Sequence, residues 1–220
     1  MNGIIGSGNI GATAARLFTE AGHKVAVSNS REPKSLESLV KEIGPRACAT
    51  TVEEAAAFGE VVLVAMPLYA YETLPSDQLA GKVVVDAMNC YEGRDGQIDR
   101  DGLTSSELVA RGLPGARVVK AFNTMYYETL ATEGQPKAPA EDHFVLFVAG
   151  DDAEAKSVVP QLIEQIGFAP VDTGSLGEGG SKQQPGSPIY HVPMNEDQAR
   201  ETLANMELPA RGDEINEVEL

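Results

Sequence analysis

Along the chain, short apolar runs alternate with stretches whose apolar residues recur at helical spacing. Ile4-Ile5 closes a first strand, and Ile10, Ala14, Leu17, Phe18 and Ala21 follow as one helix face up to Gly22, a plausible stop. Val25-Ala26-Val27 reads as a second strand, and Leu36, Leu39, Val40 and Ile43 as a helix halted by Gly44-Pro45. Thr51 with Glu54 resembles a capping box opening a helix through Phe58. Val61 to Ala65 and Val83 to Val85 are continuous apolar runs, as strands covered on both faces require. Val118-Val119 with Ala121-Phe122 is another. Phe144 to Ala149, Ala153 to Ile166 and Phe168 to Val171 then read as strand, helix and strand.

This alternation predicts an α/β fold, a doubly wound and mostly parallel sheet, over residues 1–173. Residues 174–220 are expected to form a short C-terminal extension. Within it, Gly174 to Pro188 carries few large apolar residues and reads as loop or linker, and Glu196 to Met206 as a short amphipathic helix. The last ten residues hold Asp213, Glu214, Glu217 and Glu219 against Arg211 alone, a solvated tail.

Charge narrows the partners. Lys and Arg number 17 against 33 Asp and Glu, a formal charge of −16. That disfavours nucleic acid, whose phosphates need clustered cations, and docking on an anionic membrane. No apolar run reaches the ~18–20 residues of a membrane span. The first residues carry no basic region or cleavage site, so no signal peptide is expected. Two cysteines, Cys48 and Cys90, give neither a disulfide framework nor zinc spacing, and no metal site is expected. A cytoplasmic protein with reduced thiols is the expectation.

The most specific motif is Gly6-Ser7-Gly8-Asn9-Ile10-Gly11, a G-x-G-x-x-G between a strand and a helix. In that context Gly6 allows the tight turn, Gly8 the approach of a pyrophosphate, and Gly11 close packing of helix on sheet. Amides at the helix start and the helix dipole then face the anion. An NAD(P)-binding Rossmann fold is the reading. NAD sites usually place a carboxylate at the end of the second strand to hold the ribose hydroxyls. Here that strand runs into Ser28-Asn29-Ser30-Arg31-Glu32-Pro33-Lys34, and Ser30, Arg31 and Lys34 suit the 2′-phosphate of NADP. The other reading is that Arg31 and Lys34 are solvated loop charges.

Met66-Pro67, Asn89 and Lys120 to Thr124 follow later strands, on the side of the sheet where ligands bind. Pro67 offers shape, and Asn89 a donor and an acceptor to a carboxamide or hydroxyl, or else a turn residue. Lys120 or Asn123 would protonate, orient or stabilise charge on a substrate; alternatively Lys120 pairs with a carboxylate and Asn123 caps the next segment. His23, His143 and His191 form no triad order or metal spacing.

On these residues the chain resembles the NADP oxidoreductases that use the deazaflavin coenzyme F420. The resemblance runs through the glycine motif, Ser30-Arg31 with Lys34, and Met66-Pro67. It resumes at Ala149-Gly150-Asp151-Asp152, Lys156 and Val171 to Leu176. In that family the Ser-Arg pair and the Lys hold the 2′-phosphate. The stretch from Ser105-Ser106-Glu107-Leu108 through Lys120-Ala121-Phe122-Asn123-Thr124 is instead similar to the cytosolic oxidoreductase domain of six-transmembrane metalloreductases, where NADPH reduces a flavin. Both resemblances imply hydride transfer between nicotinamide and an isoalloxazine-like ring: coenzyme F420, FMN or FAD. Such transfer needs proximity and orientation more than an acid or base. The implied function is an NADPH-dependent reductase of a small-molecule redox acceptor, and the alternative is an NADP(H)-binding redox sensor without turnover. A hydroxyacid or imine dehydrogenase would need a large helical domain after the sheet, and only about 45 residues follow Asp172. A homodimer is expected if Pro188 to Met206 packs against a second copy.

Overall fold

The computed structural model describes residues 1–207. Eight strands form one sheet: β1 (Asn2–Ile5), β2 (Val25–Ser28), β3 (Ala47–Ala49), β4 (Val61–Val64), β5 (Val83–Asp86), β6 (Arg117–Lys120), β7 (Val145–Gly150) and β8 (Ala169–Gly174). Their order is β3-β2-β1-β4-β5-β6-β7-β8. The first six are parallel; β7 runs antiparallel to β6, and β8 parallel to β7. The order reverses between β1 and β4, which makes that point the crevice of a doubly wound sheet.

Helices cover both faces. They are α1 (Asn9–Glu20), α2 (Glu37–Ile43), α3 (Val52–Phe58), α4 (Ser76–Leu79), α5 (Glu92–Asp95), α6 (Ser105–Gly112), α7 (Tyr127–Thr132), α8 (Ala153–Gln165), α9 (Glu178–Lys182) and α10 (Glu196–Asn205). Successive strand residues point to opposite faces. Ile4, Val27, Leu63, Val85 and Val119 therefore join Phe18 of α1 and Ile163 of α8 in one core. Their neighbours Ile5, Ala26, Val64, Val84 and Val118 join Ala55 of α3 and Val109 of α6 in the other. Every residue of β1, β2, β4 and β5 is buried, which explains their unbroken apolar runs. The capping box of α3 is formed as expected, with Glu54 N donating to Thr51 Oγ1 and Thr51 N to Glu54 Oε2.

The segment expected as loop or linker is more ordered than its composition suggests. Residues 174–190 contain α9, and Leu176, Gly179, Gly180, Gln183, Ile189 and Tyr190 are buried. A Cβ on Gly179 would lie 2.6 Å from Thr173 Oγ1 and 2.9 Å from Ala149 Cβ, so that position is closed to a side chain. Ile189, Met194 and Ala199 then cover Val145, Phe147 and Val171, so residues 188–206 pack on their own β7–β8 edge. The acidic tail expected over 211–220 lies outside the described residues.

Candidate functional site

The glycine motif bridges β1 and α1 at the switch point. Gly6 has φ +105°, and a Cβ there would lie 2.1 Å from the Ala65 carbonyl oxygen at the end of β4. A Cβ on Gly11 would lie 1.9 Å from the Gly6 carbonyl oxygen. Both positions are closed to any side chain. Gly8 differs: no atom lies within 4 Å of its ideal Cβ. Its openness belongs to a space in front of the helix, not to packing. Gly8 is the N-cap of α1, with no capping side chain and no acidic residue in the first turn. Ser7 and Ile10 are half-buried and Asn9 is exposed. Uncapped amides facing open space are what a pyrophosphate requires, so the residues fit that group.

The loop after β2 lies alongside. Asn29 Oδ1 accepts from Arg31 N at 2.8 Å, an Asx turn that fixes the backbone at Ser30-Arg31. Asn29 Nδ2 donates to Ser35 Oγ at 3.1 Å and reaches Ser7 Oγ at 3.4 Å, tying this loop to the glycine motif. Ser30, Arg31 and Lys34 are exposed, and among the described residues neither Arg31 nor Lys34 forms an ion pair. In a chain of charge −16, two unpaired cations beside a helix N-terminus are suited to a second phosphate. Asn29 was not singled out from sequence; its signal is the Asn-x-Arg spacing of an Asx turn.

At the ends of β5 and β6 lies a second group of polar residues, most of it buried. Lys120 is fully buried, its Nζ 3.1 Å from Met88 O, 3.1 Å from Ser106 Oγ, 3.3 Å from Ser105 Oγ and 3.9 Å from Asp86 Oδ2. Asp86, equally buried, accepts from Ser106 Oγ and from Met88 N. Burial pulls the Lys120 ammonium below its ordinary pKa, against the pull of the Asp86 carboxylate. The side chain expected to face an acceptor is thus a buried ion pair joining β5, β6 and α6. Carboxylate pairing, the other reading from sequence, describes this geometry.

Asn123 and Asn89 bind each other. Asn123 Nδ2 donates to Asn89 Oδ1 at 3.0 Å and to Gln183 O at 2.8 Å, and Asn89 Nδ2 donates to Asn123 O at 2.8 Å. Gln183 Nε2 continues to Thr173 Oγ1 at 2.8 Å. Asn123 Oδ1, Gln183 Oε1 and Ser187 Oγ are buried without a hydrogen-bond partner. Phe122, between Lys120 and Asn123, is buried with φ +66°, and His191 has φ +58°. Such backbone costs about 1–3 kcal/mol per bulky residue and clusters at functional sites. His191 N ties the two turns together by donating to Thr124 O at 2.7 Å. Met66 and Pro67, half-buried after β4, line the rim between the two regions in the sheet order. Asp95, its side chain fully buried, joins the loops after β4 and β5 by accepting from Tyr69 N at 3.5 Å and Tyr91 N at 2.9 Å.

Residues 2–90 match the family described as NADP oxidoreductase, coenzyme F420-dependent. Over that stretch the chain is similar to this family. It is 35% identical over 176 residues to Metalloreductase STEAP3 of Rattus norvegicus, and 26% identical over 177 residues to Metalloreductase STEAP2 of Homo sapiens. Those matches cover 79% of this chain but only 34% and 33% of the metalloreductases, so the chain spans about a third of their length. Among solved structures, a hypothetical protein from Sinorhizobium meliloti superposes with TM-score 0.80 at 34% identity, covering 90% of this chain and 96% of that one. A candidate F420-dependent NADP-reductase from Arthrobacter sp. superposes with TM-score 0.69 at 26% identity, covering 81% and 87%. A Mycobacterium tuberculosis 3-hydroxyisobutyrate dehydrogenase shares the fold alone, at 16% identity and TM-score 0.60, and this chain covers 55% of it. Among the described residues no helix is long and apolar enough to cross a membrane.

Proposed function

We propose that this chain is an NADP-dependent oxidoreductase that passes hydride between NADP(H) and the ring of a flavin or of deazaflavin coenzyme F420. The observation that carries the reading is the open Gly8 helix start with Arg31 and Lys34 beside it, neither in an ion pair among the described residues. The first takes the pyrophosphate; the second, with Ser30, takes the 2′-phosphate. With the phosphates so anchored, Met66 and Pro67 after β4 would offer the nicotinamide an apolar wall.

The nicotinamide supplies the hydride. The chain's own residues hold the two rings in contact and exclude water, which suffices for a transfer governed by proximity. Lys120, Asn89 and Asn123 are positioning residues here: Asn89 and Asn123 bond each other, Lys120 bonds Met88 O, Ser105 and Ser106, and together they shape the floor on which the acceptor rests. A small-molecule acceptor is the partner implied.

The experiment is NADPH consumption by the purified chain with F420, FMN and FAD in parallel, against NADH as control. Turnover with NADPH and one of the rings is the expected result. Tight NADPH binding with no turnover of any ring would instead favour a redox sensor. Absence of NADPH binding would overturn both.

A further inference from the structure

Two phenols join the loop after β5 to the segment before α10. Tyr91 lies two residues past Asn89, and its hydroxyl is hydrogen bonded to that of Tyr190. Asn89 Nδ2 uses one N–H on Asn123 O, and lies 3.4 Å from both phenol oxygens with the other. An amide N–H can only donate, so both phenol oxygens accept from Asn89. Tyr190 is buried, and the hydroxyl neighbours it has among the described residues are Asn89 Nδ2 and Tyr91 Oη. Its proton therefore goes to Tyr91 Oη. The Tyr91 oxygen then accepts from both, and its own proton points out of the network.

Tyr91 is half-exposed and stands at the end of β5, on the side of the sheet where the glycine motif opens. Its position is fixed three ways. The Arg94 guanidinium lies 4.8 Å from its ring centroid. Arg94 also donates to Asn89 O and to Asp95 Oδ2, each at 2.8 Å, and Asp95 in turn accepts from Tyr91 N. A single outward donor on so constrained a ring is what stabilises charge developing on a bound molecule.

We propose that Tyr91 donates its O–H to the hydride acceptor, at the carbonyl or ring nitrogen where negative charge collects, and that Tyr190 and Asn89 are positioning residues that aim it. The proposal rests on the reading of the chain as a reductase of flavin or deazaflavin. In the step, the C4–H bond of the dihydronicotinamide breaks and its electron pair and hydrogen form a new bond on the acceptor ring. NADPH becomes NADP+, and the acceptor gains two electrons and one negative charge. Tyr91 keeps its proton and stabilises that charge by hydrogen bonding; later protonation comes from solvent.

The test compares wild type, Tyr91→Phe and Tyr190→Phe with NADPH as donor and FMN and F420 as probes. Tyr91→Phe is expected to lower kcat at least about tenfold with NADPH affinity within about twofold, the pattern of an interaction made mainly in the transition state. Anaerobic titration supplies a readout independent of turnover: Tyr91→Phe weakens binding of the reduced, anionic ring about tenfold more than of the oxidised ring. Tyr190→Phe moves both quantities in the same direction by less. Wild-type turnover with an unchanged Tyr91→Phe, equal weakening of both ring forms, or loss of NADPH affinity with turnover would overturn the role of Tyr91 alone. Failure of the wild type to turn over any ring would overturn the underlying reading and this one with it.

Discussion

The glycine motif and the polar node at the ends of β5 and β6 lie at the same, carboxyl edge of the sheet, yet they are built on opposite terms. The motif is local: residues 6–11 and 28–34 bring open space, free amides and exposed cations to one rim. It is made to receive charge. The node is assembled from residues as far apart as Asn89, Asn123, Gln183 and Tyr190, and its polar groups mostly satisfy one another. It is made to hold shape. A substitution in the first should therefore cost binding and spare the fold; in the second it should cost stability, turnover or both.

Lys120→Met should show the largest effect. It leaves the Asp86 carboxylate buried without its counter-ion, which costs about 3–5 kcal/mol. Urea unfolding measures it; a loss under about 1 kcal/mol would mean the pair is solvated and the node is not the rigid element described here.

Within the motif itself the contrast can be sharpened. A Cβ at Gly8 meets nothing within 4 Å in the protein, so Gly8→Val should abolish NADPH binding, beyond about a hundredfold or 2.7 kcal/mol, with an unchanged melting temperature. Gly11→Val forces the Gly6 carbonyl aside and should lower stability by about 3 kcal/mol. Calorimetry on both variants, by binding and by melting, distinguishes them; equal damage to both properties in both variants would erase the distinction.

How far the sequence revealed each region follows from the same contrast. Apolar periodicity exposed the strands and helices because β1, β2, β4 and β5 are buried on both faces and have no competing requirement. The glycine motif was legible because its parts are neighbours in the chain. A Lys at a strand end reads as chemistry from sequence, and its partner Asp86 becomes visible only when the sheet register places it one strand away. Tyr190 carried no signal at all, since its partners Asn89 and Tyr91 lie about a hundred residues earlier. Residues 174–188 read as loop because buried glycines and a buried Gln183 look polar and flexible in composition, yet Gly179 and Gln183 pack tightly against Thr173.

The smallest effect is expected at His191. Its ring, stacked on Tyr190 at 4.0 Å and edge-on to Tyr126, is partly desolvated, which holds its pKa below the ordinary 6.5. The unfolded chain therefore takes up the proton first, so stability should fall as pH drops from about 6.5 to the lower folded value. His191→Asn keeps the positive φ that Asn tolerates and should remove this slope. Melting curves across that range check it; an identical slope in the variant would assign the effect elsewhere.

The central claim, that the rim at Gly8 and Arg31 is built for a cofactor with a 2′-phosphate, is tested most directly by calorimetric affinities for NADPH and NADH in wild type and Arg31→Ala. Loss of one charge-assisted contact should weaken NADPH by about 1.5–3 kcal/mol and leave NADH nearly unchanged. Equal losses for the two cofactors, or none for NADPH, would contradict it.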